Sequence, residues 1–342
     1  MLALPLLSIA IPTWNRASYL RLTLEQLHVE MPRGKASQVE ILVSDNCSDD
    51  DTAAVVESVM SDGLRVRYVR NKENIGSDRN IAQCFNLASG RYVLLLGDDD
   101  ILIDGTLPWL LSKLSNCNYG VVFLRPYGYN NDFRAELPSS EGDEKEYSDA
   151  SEFLTTLSAF TTLISTNVIY KEKGIDALQF CGDHLVQTHL IFRAALSAKQ
   201  NLYTNRYMVA YKRNNSGGYD FSRILVEKFG QILDQYCSFG LSSNAVEAIE
   251  NRMLMGYYPF YIWRQRLSGN QDMKLAQQRF GNRFAGRILY VLFVAPIFNL
   301  PRSLAIVWGV LAVGAGRVLM GDLRRGFYFA WHKMFKRKKL IL

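Results

Sequence analysis

The chain has 342 residues, of which 48% are hydrophobic and 21% charged, with a formal net charge of +6. This hydrophobic content supports a buried core and argues against an intrinsically disordered protein. The cysteines at 47, 84, 117, 181 and 237 lack C-x-x-C spacing. That pattern argues against a disulfide framework or a zinc site and favours a reducing compartment. The apolar residues 1–12 lack a basic start and a cleavage site, so they predict a strand rather than a secretion signal.

The first half of the chain alternates strand-like runs with helical spacing. Strands are predicted at 6–11, 39–44, 64–70 and 91–96, and helices at 17–28, 52–60 and 77–88. This alternation predicts βαβ units, and hence an α/β fold with a Rossmann-like, mostly parallel sheet flanked by helices. Ligands of such sheets bind beyond the carboxyl ends of the strands, so the polar clusters that follow these strands are expected to share one crevice.

Asp98, Asp99 and Asp100 follow directly after the apolar run 91–96. Adjacent, partly buried carboxylates repel one another, and a divalent cation such as Mg²⁺ removes that conflict, often together with substrate phosphates. For the triplet alone, a solvated acidic turn before the next helix is an equally good interpretation. The motifs G-x-G-x-x-G after the first strand, G-x-x-x-x-G-K-[ST] and G-x-S-x-G are missing, which disfavours dinucleotide-binding, P-loop and hydrolase sites.

Polar residues after the other strands suit a nucleotide. Asp45 is an acceptor for the imide N–H of uracil or thymine, and Arg79 can pair with a phosphate. Thr13 and Arg16 suit a base, a ribose or phosphates. Each of these residues taken alone is also explained as a turn or capping residue. Clusters after four successive strands favour one shared site.

Four segments, in this order and spacing, resemble family 2 glycosyltransferases of the GT-A fold, namely 9–16, 41–50, 74–80 and 96–100. The resemblance covers about the first 125 residues of the chain. It implies an inverting transfer of a sugar from a nucleotide-sugar donor, of the type found in bacterial surface polysaccharide biosynthesis. It also implies Mn²⁺ or Mg²⁺ at a D-x-D site.

The resemblance also implies roles for individual residues. Asp100 would hold the metal, Asp98 and Asp99 would face the ribose and the sugar, and Asp45 would face the base. Arg213 lies in the basic loop 211–218, which resembles a segment that closes over the donor diphosphate; a solvated surface turn is the alternative. The predicted nucleotide-sugar-binding residues are Pro12, Thr13, Asn15, Arg16, Asp45, Asn46, Ser48, Arg79, Asp98, Asp99 and Arg213.

An inverting transfer needs one base that takes the proton of the acceptor hydroxyl. Asp183 precedes a run with helical spacing and resembles the carboxylate that serves this role in the family, although the commoner pattern is a Glu-Asp pair. His184 competes for the role, and an N-cap of the following helix accounts for Asp183 equally well. We expect His189 to be a packed or surface residue.

The second half is predicted to contain strands at 119–124 and 161–170, a helix at 151–159 and a polar loop at 126–147. The predicted domains are a GT-A domain 1–220, a helical extension 221–287 and a membrane-associating segment 288–342. Within the first domain, 1–125 would bind the nucleotide sugar and 126–220 the acceptor.

Two apolar runs, 288–300 and 304–316, lie on either side of Pro301 and Arg302. Neither reaches the roughly 20 residues of a spanning helix, and a joined span would bury Arg302. A helix pair in the membrane interface or a re-entrant hairpin is therefore predicted, with a buried helical hairpin as the alternative. Basic and aromatic residues between 324 and 339 suit an anionic membrane surface, and nothing else supports nucleic-acid binding.

The sequence thus predicts a metal-dependent glycosyltransferase in the cytoplasm, associated with the inner face of the cell membrane. Its donor would carry UDP or dTDP, and its acceptor would be a glycan or a polyprenyl-linked saccharide. The rival hypothesis is a non-catalytic nucleotide-sugar-binding scaffold. The donor sugar, the linkage and the oligomeric state stay open.

Overall fold

The computed structural model describes residues 4–32, 34–139, 142–213, 220–268 and 273–320. The chain divides into two compact units. The first comprises Met1–Tyr219 and Ile232–Ser242, and the second comprises Asp220–Gln231 and Ser243–Leu342. The predicted division into 1–220, 221–287 and 288–342 stays a prediction.

The first unit contains a mixed β-sheet. In the described residues its strands are β1 (Leu7–Thr13), β2 (Val39–Asp45), β3 (Val66–Arg70), β4 (Tyr92–Leu95), β5 (Asp100–Leu102), β6 (Val121–Tyr129), β7 (Glu144–Tyr147), β8 (Asn167–Tyr170) and β9 (Asn201–Lys212). Their order is β3-β2-β1-β4-β8-β6-β9-β5, and β7 pairs with β9. Strands β3, β2, β1 and β4 are parallel, whereas β8 is antiparallel to both β4 and β6. The carboxyl ends of β1, β2, β3 and β4 therefore meet at one edge.

Helices flank this sheet because each presents an apolar stripe to it. In α1 the stripe is Leu20, Leu24 and Leu27, all at most 1% exposed. Every residue of β4 is buried, as the apolar run before the triplet predicts for a strand covered on both faces. The helices of this unit are α1 (Ala17–Glu30), α2 (Thr52–Ser61), α3 (Ser77–Leu87), α4 (Thr106–Asn116), α5 (Ala150–Leu157) and α6 (Val186–Ser197), with 3₁₀ turns at Ala36–Gln38, Ser158–Thr162 and Ala177–Phe180. The next helix, α7 (Phe229–Cys237), contributes its last residues to the first unit and its first residues to the second.

Two second-half predictions are wrong in extent: the polar loop predicted over 126–147 contains the end of β6 and all of β7, and the strand predicted over 161–170 is shorter. Strand β6 continues to Tyr129, into the segment predicted as a polar loop, because every one of its residues is buried and pairs extend along β9. Pro126 is tolerated there because it sits at a shift in register, where a missing N–H costs least. The strand predicted over 161–170 is limited to β8, since the 3₁₀ turn Ser158–Thr162 occupies its beginning.

The second unit is helical in its described residues. It contains α8 (Ser243–Arg252), α9 (Tyr258–Ser268), α10 (Met273–Phe284), α11 (Ala295–Asn299) and α12 (Arg302–Leu319), with π-helical turns at Arg223–Lys228, Met253–Tyr257 and Tyr290–Val294. Helix α12 packs closely through small residues. A Cβ on Gly309 would lie 2.3 Å from Cδ1 of Trp263, and one on Gly316 would lie 2.0 Å from the backbone oxygen of Met255. Only glycine permits such an approach.

The opposite face of α12 is apolar and exposed. Leu304, Val307 and Leu311 are 54%, 58% and 60% exposed. The helix is 18 residues long with a mean hydropathy of 1.5, so by length and composition it could cross a membrane. Whether this segment spans a membrane, lies in its interface or forms a re-entrant hairpin stays a prediction.

Candidate active site

The Asp triplet lies immediately after β4, where the chain turns into β5. Arg16, from the loop after β1, reaches two of its members, with Nε 3.1 Å from Oδ1 of Asp98 and Nη2 2.7 Å from Oδ2 of Asp99. The hydroxyl of Thr13 donates to Oδ2 of Asp98 at 2.8 Å. The structure thus brings four of the predicted donor-site residues into direct contact.

The backbone of the triplet is held by side chains from elsewhere in the fold. The hydroxyl of Thr23 on α1 donates to the backbone oxygens of Asp98 and Asp100, at 2.9 and 3.1 Å. Ser165 donates through its hydroxyl to Oδ2 of Asp100 and accepts from the backbone N–H of Gly97 at 2.8 Å. The triplet is therefore held in place by α1, through Thr23, and by the segment before β8, through Ser165.

Two carboxyl groups of the triplet have strongly shifted pKa values. Burial raises the pKa of Asp100 to about 8, with the neighbouring Asp99 adding to the rise and the Ser165 hydrogen bond opposing it. Burial raises the pKa of Asp98 to about 7, against the opposing effects of Arg16 and Thr13. These are buried acids whose ionised forms need more positive charge than the protein places beside them.

The side chains of the triplet fit a divalent cation that is shared with a ligand. Among the described residues, no group of three or more His, Cys, Asp or Glu side chains is arranged to hold a metal by itself. Asp100 does offer hard oxygens in a buried position where ionisation is costly. Mg²⁺ is commonly bound by one or two carboxylates together with substrate phosphates, and this donor set matches that arrangement.

Asp45, predicted to face the base, lies wholly buried at the end of β2. Its Oδ1 accepts from the backbone N–H of Ser48 at 2.9 Å, and its Oδ2 accepts from the hydroxyl of Tyr68 at 2.5 Å. Nε of Arg70 lies 3.5 Å from the same Oδ2. Asp45 thus ties β2 to β3 and to its own following turn, and its contact with a base stays a prediction.

The loops after β1, β2 and β3 are pinned to one another by other predicted residues. Asn15 accepts from the N–H of Asp49 at 2.7 Å and donates its own N–H to the hydroxyl of Ser48 at 2.9 Å. The Asn46 N–H donates to the backbone oxygen of Thr13, and its Oδ1 accepts from the N–H of Ile75, both at 2.9 Å. These hydrogen bonds join the three strand-end loops into one edge, which we call the rim.

The remaining predicted donor residues lie further along this edge or beyond it. Pro12 is half-buried within β1, and Arg79 is exposed in the first turn of α3. Nη1 of Arg213 lies 3.5 Å from Oε2 of Glu136, and its N–H donates to the backbone oxygen of Tyr129. Residues 214–218 of the predicted closing loop lie outside the described residues.

Asp183 lies in the turn before α6. Its Oδ1 accepts from the N–H of Leu185 at 2.9 Å, and its Oδ2 lies 3.0 Å from Nε2 of His189. The N-cap position of α6 is Leu185, so the capping interpretation of Asp183 is wrong. His184 is exposed, with a left-handed φ of 63°.

The Asp183 turn is anchored to α3, and the helix that follows it is anchored to the segment before Ser165. The N–H of Gly182 donates to Asp78 of α3 at 2.6 Å. The first turn of α6 binds the segment that leads to Ser165, because Gln187 donates to the backbone oxygen of Thr162 and Thr188 to that of Thr161. The segment that the first turn of α6 binds therefore leads directly to Ser165, which donates a hydrogen bond to Asp100.

Comparison with known proteins identifies the class of protein. Residues 8–178, half of the chain, match Glycosyl transferase family 2. The chain belongs to this family.

Two curated relatives match the amino-terminal part of the chain. The GalNAc(5)-diNAcBac-PP-undecaprenol beta-1,3-glucosyltransferase of Campylobacter jejuni is 36% identical over 121 residues, which are 35% of this chain and 38% of that protein. An abequosyltransferase of Salmonella typhimurium is 33% identical over 112 residues, which are 32% of this chain and 33% of that protein. The matches thus span about a third of these relatives' own lengths.

Solved structures match over nearly the whole chain. Staphylococcus aureus TarS 1-349 in complex with UDP-GlcNAc has a TM-score of 0.62 at 16% identity, with 91% of each chain covered. A Pyrobaculum calidifontis mannosyltransferase in complex with GDP-Man and Mn²⁺ has a TM-score of 0.51 at 13% identity, with 91% of this chain and 87% of that one covered. Likeness at this level of identity concerns the fold, and it confirms the predicted α/β GT-A architecture.

The roles of three residues of the site are missing from the sequence predictions. Ser165 and Thr23 hold the triplet. His189 is a packed residue, as expected, and it also contacts Asp183. His189 follows Asp183 by six positions across the start of α6, a spacing that was visible but not diagnostic. Ser165 offers no local signal, because its contact depends on β8 lying beside β4.

Proposed function

We propose that the protein is an inverting glycosyltransferase of polysaccharide biosynthesis. It would move a sugar from a UDP- or dTDP-linked donor to a hydroxyl of a glycan or polyprenyl-linked saccharide. The observation that carries this proposal is the buried Asp triplet, paired with Arg16 and Thr13 at the strand ends. Family membership supports the reaction class, and the undecaprenol-linked substrate in the name of the Campylobacter relative supports the acceptor class.

The donor would bind along the rim with its diphosphate towards the triplet. Arg16 already lies within 3.1 Å of Asp98 and 2.7 Å of Asp99, so it can hold these carboxylates while its remaining N–H groups meet the ligand. Asp100 would hold Mn²⁺ or Mg²⁺. When bound, the cation would neutralise charge on the diphosphate and so favour its departure.

Asp183 would act as the base. Its carboxylate would take the proton of the acceptor hydroxyl as that oxygen forms a bond to the anomeric carbon, on the face opposite the diphosphate. The bond from the anomeric carbon to the diphosphate oxygen breaks, and its electron pair leaves with the nucleoside diphosphate. Attack from the opposite face inverts the configuration of that carbon.

A place at the inner face of the cell membrane is part of the proposal. The exposed apolar face of α12, with Leu304, Val307 and Leu311, supports contact with acyl chains. The basic and aromatic segment 324–339 of the sequence suits anionic head groups, and it lies outside the described residues. Such contact would bring the protein to the membrane that holds a lipid-linked acceptor.

A scaffold that binds nucleotide sugars without turnover is the alternative. It is favoured by one observation, since among the described residues no group of three or more His, Cys, Asp or Glu side chains is arranged to hold a metal by itself.

A transfer assay on the full chain separates the two functions. Purified protein is incubated with a panel of nucleotide sugars and polyprenyl-linked acceptors, with Mn²⁺ or with EDTA. We expect transfer that EDTA abolishes and Mn²⁺ restores. Donor binding without turnover across the panel would favour the scaffold.

A further inference from the structure

His189 is a buried histidine whose ring contacts Phe180, Tyr236 and Asp183. Its side chain is 6% exposed. The ring stacks on Phe180, with centroids 4.8 Å apart and planes at 7°. Nδ1 lies 3.3 Å from the hydroxyl of Tyr236, which also donates to the backbone oxygen of His189 at 2.9 Å. Nε2 is left facing Oδ2 of Asp183 at 3.0 Å.

We infer that His189 is a positioning residue for Asp183, held in turn by Tyr236. The inference rests on the proposed function, in which Asp183 is the base. An ionised carboxylate only accepts hydrogen bonds, so Nε2 of His189 is the donor in this pair. The single proton of the Tyr236 hydroxyl goes to the backbone oxygen of His189 at 2.9 Å, and the hydroxyl oxygen lies 3.3 Å from Nδ1, so Tyr236 holds the ring from the side opposite Asp183.

This arrangement explains how one carboxylate is kept ready as a base. Asp183 receives donors at both oxygens, from Leu185 at Oδ1 and from His189 at Oδ2. These bonds set the orientation of the carboxylate and favour its charged form, which is the form that accepts a proton.

A packing role and a positioning role require different things of residue 189. Packing against Phe180 needs an aromatic ring of similar size, which phenylalanine supplies. Positioning Asp183 needs an N–H at the place of Nε2, which glutamine can supply without a ring. The variants His189→Phe and His189→Gln therefore separate the two roles, and Tyr236→Phe tests the support of the ring.

The experiment measures sugar transfer by the full chain as a function of pH, with kcat and donor KM determined separately. We expect His189→Phe to lower kcat about 100-fold, the usual scale of a general-base contribution, with donor KM unchanged. His189→Gln should recover most of this loss, and Tyr236→Phe should fall between them. His28→Gln, which changes an exposed histidine of α1, is the matched control and should keep wild-type kcat.

The pH profile adds a readout that a packing role would not move. Without the His189 donor, the charged form of Asp183 is less favoured, so the acidic limb of kcat should move to higher pH. Asp183 interacts electrostatically with Cys181 and Tyr236; Asp78, Arg79 and Asp176 also act on Cys181, and Arg193 acts on Tyr236. The His189 variants leave all of these groups unchanged.

The outcomes separate failure of this inference from failure of the proposed function. If Asp183→Asn abolishes transfer while His189→Phe keeps wild-type kcat and pH profile, the inference is overturned and the proposed function stands. The inference is also overturned if His189→Gln is as impaired as His189→Phe in a folded protein. If the wild type transfers no sugar, or Asp183→Asn transfers at the wild-type rate, the proposed role of Asp183 fails and this inference fails with it.

Discussion

Arg16, in the loop after β1, contacts Asp99, in the turn after β4, with Nη2 2.7 Å from Oδ2. Its Nε also lies 3.1 Å from Oδ1 of Asp98. One guanidinium thus balances two carboxylates of the triplet. Without it, the carboxylates would repel each other and any incoming diphosphate more strongly.

The first prediction concerns this guanidinium. Arg16→Ala should weaken donor binding about 10- to 100-fold, because charge-assisted hydrogen bonds are lost and the repulsion of Asp98 and Asp99 is uncovered. Arg16→Lys should recover only part of the affinity, since an ammonium group lacks the planar fork. Isothermal titration with the preferred nucleotide sugar measures both. Arg65→Ala, an exposed arginine before β3, is the control, and equal affinity of Arg16→Ala and wild type would contradict the assigned role.

The second prediction concerns Asp100. Asp100→Asn should abolish Mn²⁺-dependent transfer, with a loss of at least about 100-fold, and leave the circular dichroism spectrum unchanged. The amide keeps the size of the side chain and an acceptor for Ser165 while removing the charge. Asp62→Asn, at the end of α2, is the matched control. Full activity of Asp100→Asn would place the cation elsewhere or remove it from the reaction.

The third prediction is a pH dependence of stability without added metal. Asp98 and Asp100 have raised pKa values, about 7 and about 8, so the folded state binds more protons than the unfolded state between about pH 4 and pH 8. Their contribution to stability is therefore present below the unfolded pKa and is lost as the pH rises. Thermal unfolding at pH 5.5 and 8.5 should show a smaller drop for Asp100→Asn than for wild type, by on the order of 2–4 °C. Equal drops would show that the burial of this carboxyl has little effect.

The fourth prediction tests the Asp45 network. Tyr68→Phe removes a hydroxyl that donates to the buried Asp45 carboxylate, and we expect a loss of about 1.5–3 kcal/mol in the free energy of unfolding, the range for a hydrogen bond to a charged group. Urea denaturation measures the change. Tyr170→Phe, at a tyrosine that is 37% exposed, should be nearly neutral. A neutral Tyr68→Phe would mean that water or another donor replaces the hydroxyl.

The fifth prediction concerns the outer face of α12. Replacing Leu304, Val307 and Leu311 together by serine should abolish sedimentation with vesicles that contain anionic phospholipid. The control replaces Leu22, Val29 and Met60 by serine, three exposed apolar residues of the first unit, and should sediment as the wild type does. Unchanged sedimentation of the α12 variant would assign membrane contact, if any, to another segment.

Local patterns predict the parallel half of the sheet well because each strand and helix there carries its own signal. The stripe of α1 and the wholly apolar β4 are examples. The mixed half is predicted poorly because its pairing joins distant segments. The polar composition of 126–147 predicts a loop, but the end of β6 lies in this segment and is buried because β9 lies beside it.

The same limit applies to the site. The polar residues after each strand can be found from position alone, as Thr13, Arg16 and the triplet show. Ser165 and Tyr68 cannot, since their roles depend on which strand neighbours which. The contact of His189 with Asp183 depends on where α6 begins. Leu185 rather than Asp183 takes the N-cap position, which leaves Asp183 in the turn before the helix.

The hydrogen bonds that join Asn15 to Asp49 and Asn46 to Ile75 make the strand-end loops a preorganised surface. A surface that is ordered before the encounter loses little conformational entropy when a ligand arrives. Binding at this rim should therefore order mainly the flexible nucleotide sugar. Since the rim does not rearrange to fit each donor, small differences in donor shape should change the affinity.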